Sequence, residues 1–395
     1  MTDHSRFRAT DRADVYKNGR HAATLTRSDL GEVSFAYLED YAGAPVASTL
    51  PVSAQPVQRP GGGVPAFFAG LLPEGRRLTV LRDAVKTSYD DELSLLLAIG
   101  TDTPGDVQVV AAGEPIDPVP PLVDFDSDSL DFRALTGLAD RHGLPGVQAK
   151  ASASMINQPV GTIQGPAILK IDPPEHPHLV ANEALHLEAA RSLRMEVSAV
   201  RIVQDAHGLS GLLVSRFDRV SGKGQHWDRL AMEDGAQALD VLPARKYAVD
   251  TADVISGLAE LCSAPLIAKR QLFSQFAFAW LTGNGDLHAK NVAVLQGQDE
   301  RWRIAPVFDV PCTLLYGDDT MALPIAGRDS RIRVRHWEEL AEEIGLPPGA
   351  ARSALKEALS AASAVTLSDL PFLGSPLTHA ERELRHRRAE LADLL

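Results

Sequence analysis

Two aspartates and an asparagine in the second half of the chain have the types and the spacing of a phosphoryl-transfer centre. Asp286 and Asn291 are five positions apart, and Asp309 follows in the next stretch of sequence. In protein kinases an Asp accepts the proton of the attacking hydroxyl, while an Asn five positions later and a further Asp hold Mg²⁺ on the ATP phosphates. The spacing therefore predicts a kinase catalytic loop with one candidate for each role.

The surrounding sequence predicts the elements that would position these residues. An apolar run at 272–281 predicts a buried helix that leads into the loop, and apolar runs at 292–295 and 304–308 predict a hairpin that ends at Asp309. Asp and Asn are also ordinary turn and capping residues, so the spacing alone leaves a purely structural role open. The helix and the hairpin favour the catalytic interpretation. His288 could bind a ligand or carry a proton, or it could brace the turn.

A second group of candidates lies upstream and could bind a nucleotide. Gly146, Gln148 and Lys150 lie in a glycine-bearing segment whose backbone N–H groups could cradle phosphates. Lys170 ends an apolar strand pattern, from which its ammonium could reach the α and β phosphates. A surface hairpin with a solvated lysine would give the same pattern. The catalytic motif downstream favours the nucleotide-binding interpretation.

A predicted helix and a predicted strand could complete the nucleotide site. Glu183 lies thirteen residues after Lys170 in a helical pattern and could form the ion pair that positions the lysine. Glu188 is a second candidate in the same helix, and the sequence leaves the choice open. A strand-like run at 212–217 offers an apolar edge, where the backbone groups of Ser215 and Phe217 could hold adenine.

Composition limits the class of protein. The chain has 395 residues, 45% of them hydrophobic, and a formal net charge of −13, which disfavours direct binding to nucleic acid or an anionic membrane. It contains only two cysteines, as is usual in a reducing compartment. The N-terminal segment lacks the apolar core of a signal peptide, and no run of 18 apolar residues occurs. We therefore expect a cytoplasmic protein that neither enters the secretory route nor spans a membrane.

The order of elements predicts an α+β fold of the two-lobed, protein-kinase-like type, with a β-rich N-terminal subdomain and a mainly helical C-terminal lobe. A hairpin is predicted at Asn18 and Gly19, and a helix at 90–99. Further helices are predicted at 233–239, 254–261, 267–281, 337–344, 350–365 and 378–395. The run at 380–391 mixes both signs of charge, which predicts a solvated helix face.

The predicted domain organisation has four parts. The composition of a segment rich in Pro and Asp predicts a linker between two folded regions. The expected parts are an N-terminal α+β subdomain at 1–110, the linker at 111–128, a nucleotide-binding region at 129–224 and a helical region with the catalytic loop at 225–395.

Short motifs lie along nearly the whole chain, at 67–75, 145–150, 168–170, 182–183, 214–219, 233–237, 246–247, 285–291 and 305–309. In this order and combination they resemble the HipA family of bacterial serine/threonine protein kinases. HipA kinases are the toxin half of HipA–HipB toxin–antitoxin modules.

The resemblance implies a role for each candidate residue. Asp286 would be the catalytic base, Asn291 and Asp309 would bind Mg²⁺, and Lys170 would contact the ATP phosphates. The other positions expected around ATP are Gly146, Gln148, Lys150, Glu183, Ser215, Phe217, His288 and Lys290.

The resemblance also implies a substrate and a partner. Family members phosphorylate an aminoacyl-tRNA synthetase, so that translation slows and growth stops. A HipB-like helix-turn-helix antitoxin would bind the kinase and would contact DNA, so that the kinase meets DNA only indirectly. The acidic net charge fits that arrangement.

One position departs from the family pattern. The phosphate-binding loop of the family often carries a serine whose autophosphorylation silences the enzyme, and Gly143 stands at that position here. The protein could lack this self-inactivation, or Ser152 or Ser154 could replace the serine, or regulation could come solely from the partner. We favour the first possibility, which a phosphopeptide covering residues 143–155 after incubation with Mg-ATP would contradict.

Two alternative functions use the same residues. A nucleotide-binding pseudokinase could act as a corepressor scaffold for a DNA-binding partner, but it would have no chemical need for Asp286, Asn291, Asp309 and Lys170 together. A metal-dependent hydrolase would need more His or carboxylate ligands nearby, and Asp318 and Asp319 are the only additional acidic pair shortly after Asp309.

Overall fold

The computed structural model of the chain describes residues 4–59, 63–116, 123–125, 130–135, 155–222 and 227–392. The chain forms two compact units, and each unit is assembled from three segments of sequence. Unit 1 consists of Met1–Pro120, Asp218–Lys246 and Ala293–Trp302, and unit 2 consists of Pro121–Phe217, Tyr247–Val292 and Arg303–Leu395. The sequence-based domain boundaries stay predictions.

Unit 1 contains a five-stranded antiparallel sheet in the order β4-β3-β2-β1-β5. Its strands are β1 (Arg12–Lys17), β2 (Arg20–Arg27), β3 (Val33–Tyr37), β4 (Val57–Arg59) and β5 (Val107–Ala111). Asn18 and Gly19 join β1 to β2 with φ values of 47° and 71°. Two successive positive φ angles suit the twist of a two-residue hairpin, so the hairpin predicted at these residues is confirmed.

Three helices contribute the rest of the unit 1 core. They are α1 (Ala66–Leu71), α2 (Gly75–Val85) and α3 (Glu92–Ile99), and the helix predicted at 90–99 corresponds to α3. Asp91 caps α3 by accepting a hydrogen bond from the backbone N–H of Ser94. Phe67 and Phe68 of α1 are buried against Phe35 and the other apolar side chains of the sheet.

The two later segments of unit 1 add short strands. They contribute β10 (Arg219–Ser221), β11 (Trp227–Arg229), β12 (Met232–Asp234), α6 (Gly235–Ala238) and β13 (Ala293–Gln296). The helix predicted at 233–239 is therefore wrong at its start, because Glu233 and Asp234 pair with Val294 and Ala293 in a ladder. Asp234 then begins a single helical turn through a capping box with Gln237, so the helical signal came from a cap and one turn.

Unit 2 begins with a four-stranded antiparallel sheet in the order β6-β7-β9-β8. The elements of this region are α4 (Phe132–Leu135), β6 (Ile156–Thr162), β7 (Gly165–Ile171), α5 (Leu179–Ala190), β8 (Val200–Gln204) and β9 (Ser210–Ser215). Leu169 and Ile171 of β7 are buried in the apolar core of this sheet together with Phe132.

Five long helices follow in unit 2. They are α7 (Thr251–Leu261), α8 (Pro265–Thr282), α9 (Val334–Glu343), α10 (Pro348–Ser363) and α11 (Ser375–Ala392). The five long helices predicted from the apolar periodicity after residue 250 are thus confirmed, with ends that differ by a few residues. The run at 272–281 is fully buried within α8. In the part of the chain that the structure describes, no helix combines the length and the apolar character of a membrane span.

Two local predictions need correction. The hairpin after the catalytic loop consists of β13 and β14 (Trp302–Ile304), so 304–308 is not its second strand. Val307 instead makes an isolated parallel bridge to Val197. The run at 380–391 is not a uniformly solvated face, because the side chain of Arg387 is only 3% exposed.

Candidate active site

The centre of the site is an ion cluster that joins three elements of unit 2. The Lys170 Nζ atom at the end of β7 lies 2.7 and 3.0 Å from the two carboxylate oxygens of Glu183 in α5. The same Nζ atom lies 2.8 Å from Oδ1 of Asp309, in the loop after β14. Glu188, the alternative partner, pairs with Arg191, and its side chain is 74% exposed. The ion pair left open by the sequence therefore forms with Glu183.

The charges in this cluster are strongly coupled. Burial alone would lower the pKa of Lys170, but attraction to Asp309 and Glu183 outweighs burial and raises it, so the ammonium stays charged. Complete burial raises the pKa of Glu183, and the Lys170 ammonium opposes that shift. Two carboxylates around one ammonium leave one excess negative charge when all three are ionised. The cluster is thus electrostatically suited to a further cation.

The connection between β7 and α5 sets the geometry of the ion pair. Asp172 lies two residues after Lys170 and accepts hydrogen bonds from the backbone N–H groups of His178 (2.8 Å) and Val180 (2.7 Å) at the start of α5. The Asp172 carboxylate thereby satisfies otherwise unpaired N–H groups and lies at the positive end of the helix dipole. It joins the strand that carries Lys170 to the helix that carries Glu183.

The catalytic loop begins where α8 ends. Gly283 has a φ of 74° and terminates the helix in the left-handed conformation that glycine adopts without strain. Asp286 follows and is 2% exposed. Its backbone N–H donates to Oδ1 of Asn284 (2.9 Å), and its carbonyl accepts from Nδ2 of Asn291 (2.9 Å). The five-residue spacing thus closes a compact loop in which Asn291 braces Asp286.

Two aromatic residues lie beside the proposed base. The Tyr247 hydroxyl donates a hydrogen bond to Oδ1 of Asp286 over 2.7 Å. The ring of Tyr247 meets the ring of His288 edge to face at 5.0 Å. Nδ1 of His288 accepts from the backbone N–H of Lys290 (3.2 Å), so His288 makes the bracing contact that the sequence left as an alternative. The contacts of His288 and of the half-buried Lys290 with ATP stay predictions.

The segment after Asp309 connects the ion cluster to the catalytic loop. Asn182, next to Glu183 in α5, exchanges two hydrogen bonds with the backbone of Cys312, at 3.0 and 2.8 Å. The next residue, Thr313, donates its N–H to the Gly283 carbonyl (2.8 Å) and accepts from the Gly285 N–H through Oγ1 (2.7 Å). The residues at 312 and 313 thus tie α5 to the loop that carries Asp286.

Sequence reasoning did not predict the contacts made by Tyr247, Asn182 and Thr313. Tyr247 and Asn182 lie within motifs shared with the HipA family, which was the available signal. Nothing in the sequence around Thr313 indicated its contacts.

The backbone conformation at Asp309 is unusual. Its φ of 55° lies in the left-handed region, which Asp tolerates better than most residues. Residues held in such a conformation concentrate at functional sites, so this outlier supports a role for Asp309 beyond ordinary loop structure.

The edge proposed for adenine has a specific pattern of backbone groups. The N–H of Ser215, at the end of β9, donates to the Ala199 carbonyl (2.9 Å), so this N–H is engaged within the protein. The contacts of Ser215 and Phe217 with adenine stay predictions. Phe217 packs against Phe308, the residue before Asp309, with ring centroids 5.6 Å apart. Phe217 thereby links this edge to the ion cluster.

The remaining predicted positions lie outside the described residues. Gly146, Gln148 and Lys150 belong to this group, as does the segment with Gly143. Their roles stay predictions.

The residues present fit ATP and Mg²⁺. Mg²⁺ prefers hard oxygen ligands and is commonly bound by one or two protein groups together with phosphate oxygens. The Asp309 carboxylate and the amide oxygen of Asn291, whose Nδ2 is engaged with Asp286, supply such ligands. Within the described ranges, no group of three or more His, Cys, Asp or Glu side chains could hold a metal ion, which is the kind of cluster that the hydrolase alternative requires.

The chain matches two family models over most of its length. The family described as HipA-like C-terminal domain matches residues 142–366, and the family described as HipA N-terminal domain matches residues 13–110. The predicted α+β, kinase-like fold is thereby confirmed, together with the resemblance to the HipA family.

Two individual relatives are similar to this chain over most of its length. The Y4mE protein of Sinorhizobium fredii is 29% identical over 367 residues, which cover 85% of this chain and 86% of Y4mE. The serine/threonine-protein kinase toxin HipA of Shewanella oneidensis is 27% identical over 335 residues, which cover 75% of this chain and 76% of that protein.

A solved structure of the Shewanella oneidensis HipA, HipB and operator DNA complex contains a similar chain. The TM-score is 0.75 at 21% identity, with 97% of this chain and 99% of that chain covered. At this level of identity, the match demonstrates a shared fold.

Proposed function

Since the chain belongs to the HipA family of kinases, we propose that it is a serine/threonine protein kinase that transfers the γ-phosphate of Mg-ATP to a protein hydroxyl. The observation that carries this proposal is the Lys170, Glu183 and Asp309 ion cluster, joined through the segment at 312–313 to the loop of Asp286.

The proposed reaction is an in-line displacement. Asp286 accepts the proton of the substrate hydroxyl, whose oxygen forms a bond to the γ-phosphorus while the bond to the β–γ bridging oxygen breaks and ADP leaves. Lys170, oriented by Glu183, contacts the α and β phosphates. Asn291 and Asp309 would hold the metal, and a bound Mg²⁺ would neutralise the charge on the β and γ phosphates. Catalysis comes from positioning and charge stabilisation, without a covalent intermediate on the protein.

The direct test is transfer of label from γ-labelled Mg-ATP to a panel of purified aminoacyl-tRNA synthetases. We expect one synthetase to be labelled, and we expect Asp286→Asn to lower the rate by at least a hundredfold, because general-base catalysis typically contributes that much. Asp253→Asn, an exposed carboxylate of α7, is the matched control and should retain full activity. Equal activity of Asp286→Asn and wild type would remove Asp286 from the mechanism.

If no synthetase of the panel is labelled, three further outcomes can be distinguished. If the chain bound ATP without transferring phosphate, the pseudokinase alternative would replace our proposal. If free phosphate were released without any labelled protein, a hydrolase would replace it. Labelling of a protein outside the synthetase panel would retain the kinase and change only its substrate.

We further propose that a HipB-like helix-turn-helix antitoxin binds and neutralises the kinase. The support is the Shewanella complex, which contains HipA, HipB and operator DNA, and the net charge of −13 on this chain, which is unsuited to direct binding of DNA. The purified chain alone should leave operator DNA unshifted in a gel assay. A complex with the antitoxin should shift the DNA, and a shift by the chain alone would contradict the proposal.

A further inference from the structure

The hydroxyl of Tyr247 makes the contact from which a further role can be inferred. It donates to Oδ1 of Asp286 over 2.7 Å, a distance typical of a hydrogen bond to a charged carboxylate. Asp286 is 2% exposed, whereas Tyr247 is 37% exposed. Tyr247 therefore reaches the buried base from a position that remains open to solvent.

Hydrogen bonds also hold the backbone of Asp286. Its N–H donates to Asn284, and its carbonyl accepts from Asn291. Rotation of a carboxylate about its own bond is soft, because the carboxylate is a terminal sp² group. The bond from Tyr247 acts on that rotation.

Tyr247 is itself held in place. Its ring packs edge to face on His288 with an interplanar angle of 82°, and His288 is fixed through Nδ1 by the Lys290 N–H. A carboxylate can accept about four hydrogen bonds, so a donor on Oδ1 leaves capacity for the substrate hydroxyl.

We propose that Tyr247 is a positioning residue that orients the Asp286 carboxylate toward the attacking hydroxyl. The inference rests on the proposed kinase function, because it assigns the orientation of the base in that reaction.

The test is steady-state ADP formation from Mg-ATP with dephosphorylated casein as the acceptor, for wild type and for Tyr247→Phe. The substitution removes only the hydroxyl and retains the ring that contacts His288. We expect kcat to fall about tenfold and the KM for ATP to change less than about twofold, because the bond from Tyr247 acts on the base. Tyr89→Phe, which removes a hydroxyl that contacts Thr79 in unit 1, should match wild type.

The possible outcomes separate the two proposals. An active wild type with an unchanged kcat in Tyr247→Phe would overturn the role of Tyr247 and leave the kinase assignment intact. A lower kcat accompanied by a higher KM for ATP and a lower melting temperature would assign Tyr247 a merely structural role and overturn the inference. A wild type that forms no ADP with casein or with any synthetase of the panel would overturn the kinase proposal, and the inference would fail with it.

Discussion

At the scale of single residues, the stability of the Lys170 cluster depends on the balance between its buried ammonium and its carboxylates, which single substitutions should disturb. Lys170→Met leaves Glu183, whose side chain is 1% exposed, and Asp309 without their ammonium. Removing one partner of a buried ion pair leaves an uncompensated charge, so we expect a loss of about 3 kcal/mol in the free energy of unfolding. Urea denaturation followed by circular dichroism would measure it.

A double substitution supplies the control for this effect. In Lys170→Met/Glu183→Leu the buried carboxylate is absent, so the double variant should recover at least half of the lost stability. Phosphate transfer should stay abolished in both variants. Losses that simply add would show that Lys170 and Glu183 do not stabilise one another.

A buried histidine should make the stability of unit 2 depend on pH. Burial lowers the pKa of His186 to about 4, against an ordinary 6.5, although the bond between Nδ1 and the Asn182 carbonyl (2.8 Å) opposes the shift. Because the folded pKa lies below the unfolded one, the unfolded state takes up the proton first as the pH falls, and stability is lost between about pH 6.5 and 4.

The size of this effect can be checked with a matched pair of variants. Between pH 7 and 5 the contribution of His186 amounts to about 2 kcal/mol. His186→Asn keeps a donor for the Asn182 carbonyl without titrating, so its urea midpoint should fall less over this pH range than that of wild type. His207→Asn, at a side chain that is 71% exposed, should retain the wild-type slope. Equal slopes for all three proteins would exclude His186 as the source.

At the scale of elements, α11 holds the end of α8 from which the catalytic loop begins. Arg387 donates to the carbonyls of Trp280 (3.1 Å) and Asp319 (2.8 Å), and its guanidinium lies 3.6 Å from the centre of the Trp280 ring. Arg388 donates to the Leu281 carbonyl (3.1 Å). Cations at the C-terminus of a helix satisfy its last carbonyls and complement its dipole. We infer that α11 stabilises the position of Asp286.

These contacts predict that Arg387 contributes more to the free energy of unfolding than Arg385 of the same helix. Arg387→Leu should lower the free energy of unfolding by about 2 kcal/mol, because it leaves buried carbonyls without donors and removes the stacked cation. Arg385→Leu changes an exposed residue and should alter it by less than about 0.5 kcal/mol. Urea midpoints and the hydrogen exchange of residues 281–286 would measure both effects. Equal effects would mean that the contacts of Arg387 are not stabilising.

The sequence predicted elements better than it predicted their contacts. The helix α8 and the hairpin at Asn18 and Gly19 could be predicted because periodicity and turn chemistry are local properties. The choice between Glu183 and Glu188 could not be made, because both lie in one helix and only the direction of that helix decides which of them meets Lys170. The pairing of Tyr247 with Asp286 joins residues 39 positions apart, so no local pattern contains it.

At the scale of the whole molecule, unit 1 is held together by contacts between distant segments of the chain. Glu233 accepts from the N–H (2.8 Å) and the hydroxyl (2.6 Å) of Ser48. Arg219 donates to the carbonyls of Gly105 (2.9 Å) and Thr103 (2.8 Å), and its side chain is 3% exposed. These buried bonds join the segment at 218–246 to the first 120 residues. The covalent link at residue 120 is therefore not the only connection between the first segment and the rest of the chain.

A cut in the chain should consequently leave its two parts associated. With a protease site inserted between residues 120 and 121, the cleaved protein should elute from a size-exclusion column as one species and separate into two fragments only in denaturant. Adding Glu233→Ala and Arg219→Ala should promote dissociation, because buried donors and acceptors of the first fragment would lose their partners. Arg245→Ala, which changes a surface residue of the same segment, is the control. Separation of the fragments without these substitutions would show that the covalent link, and not the buried bonds, unites unit 1.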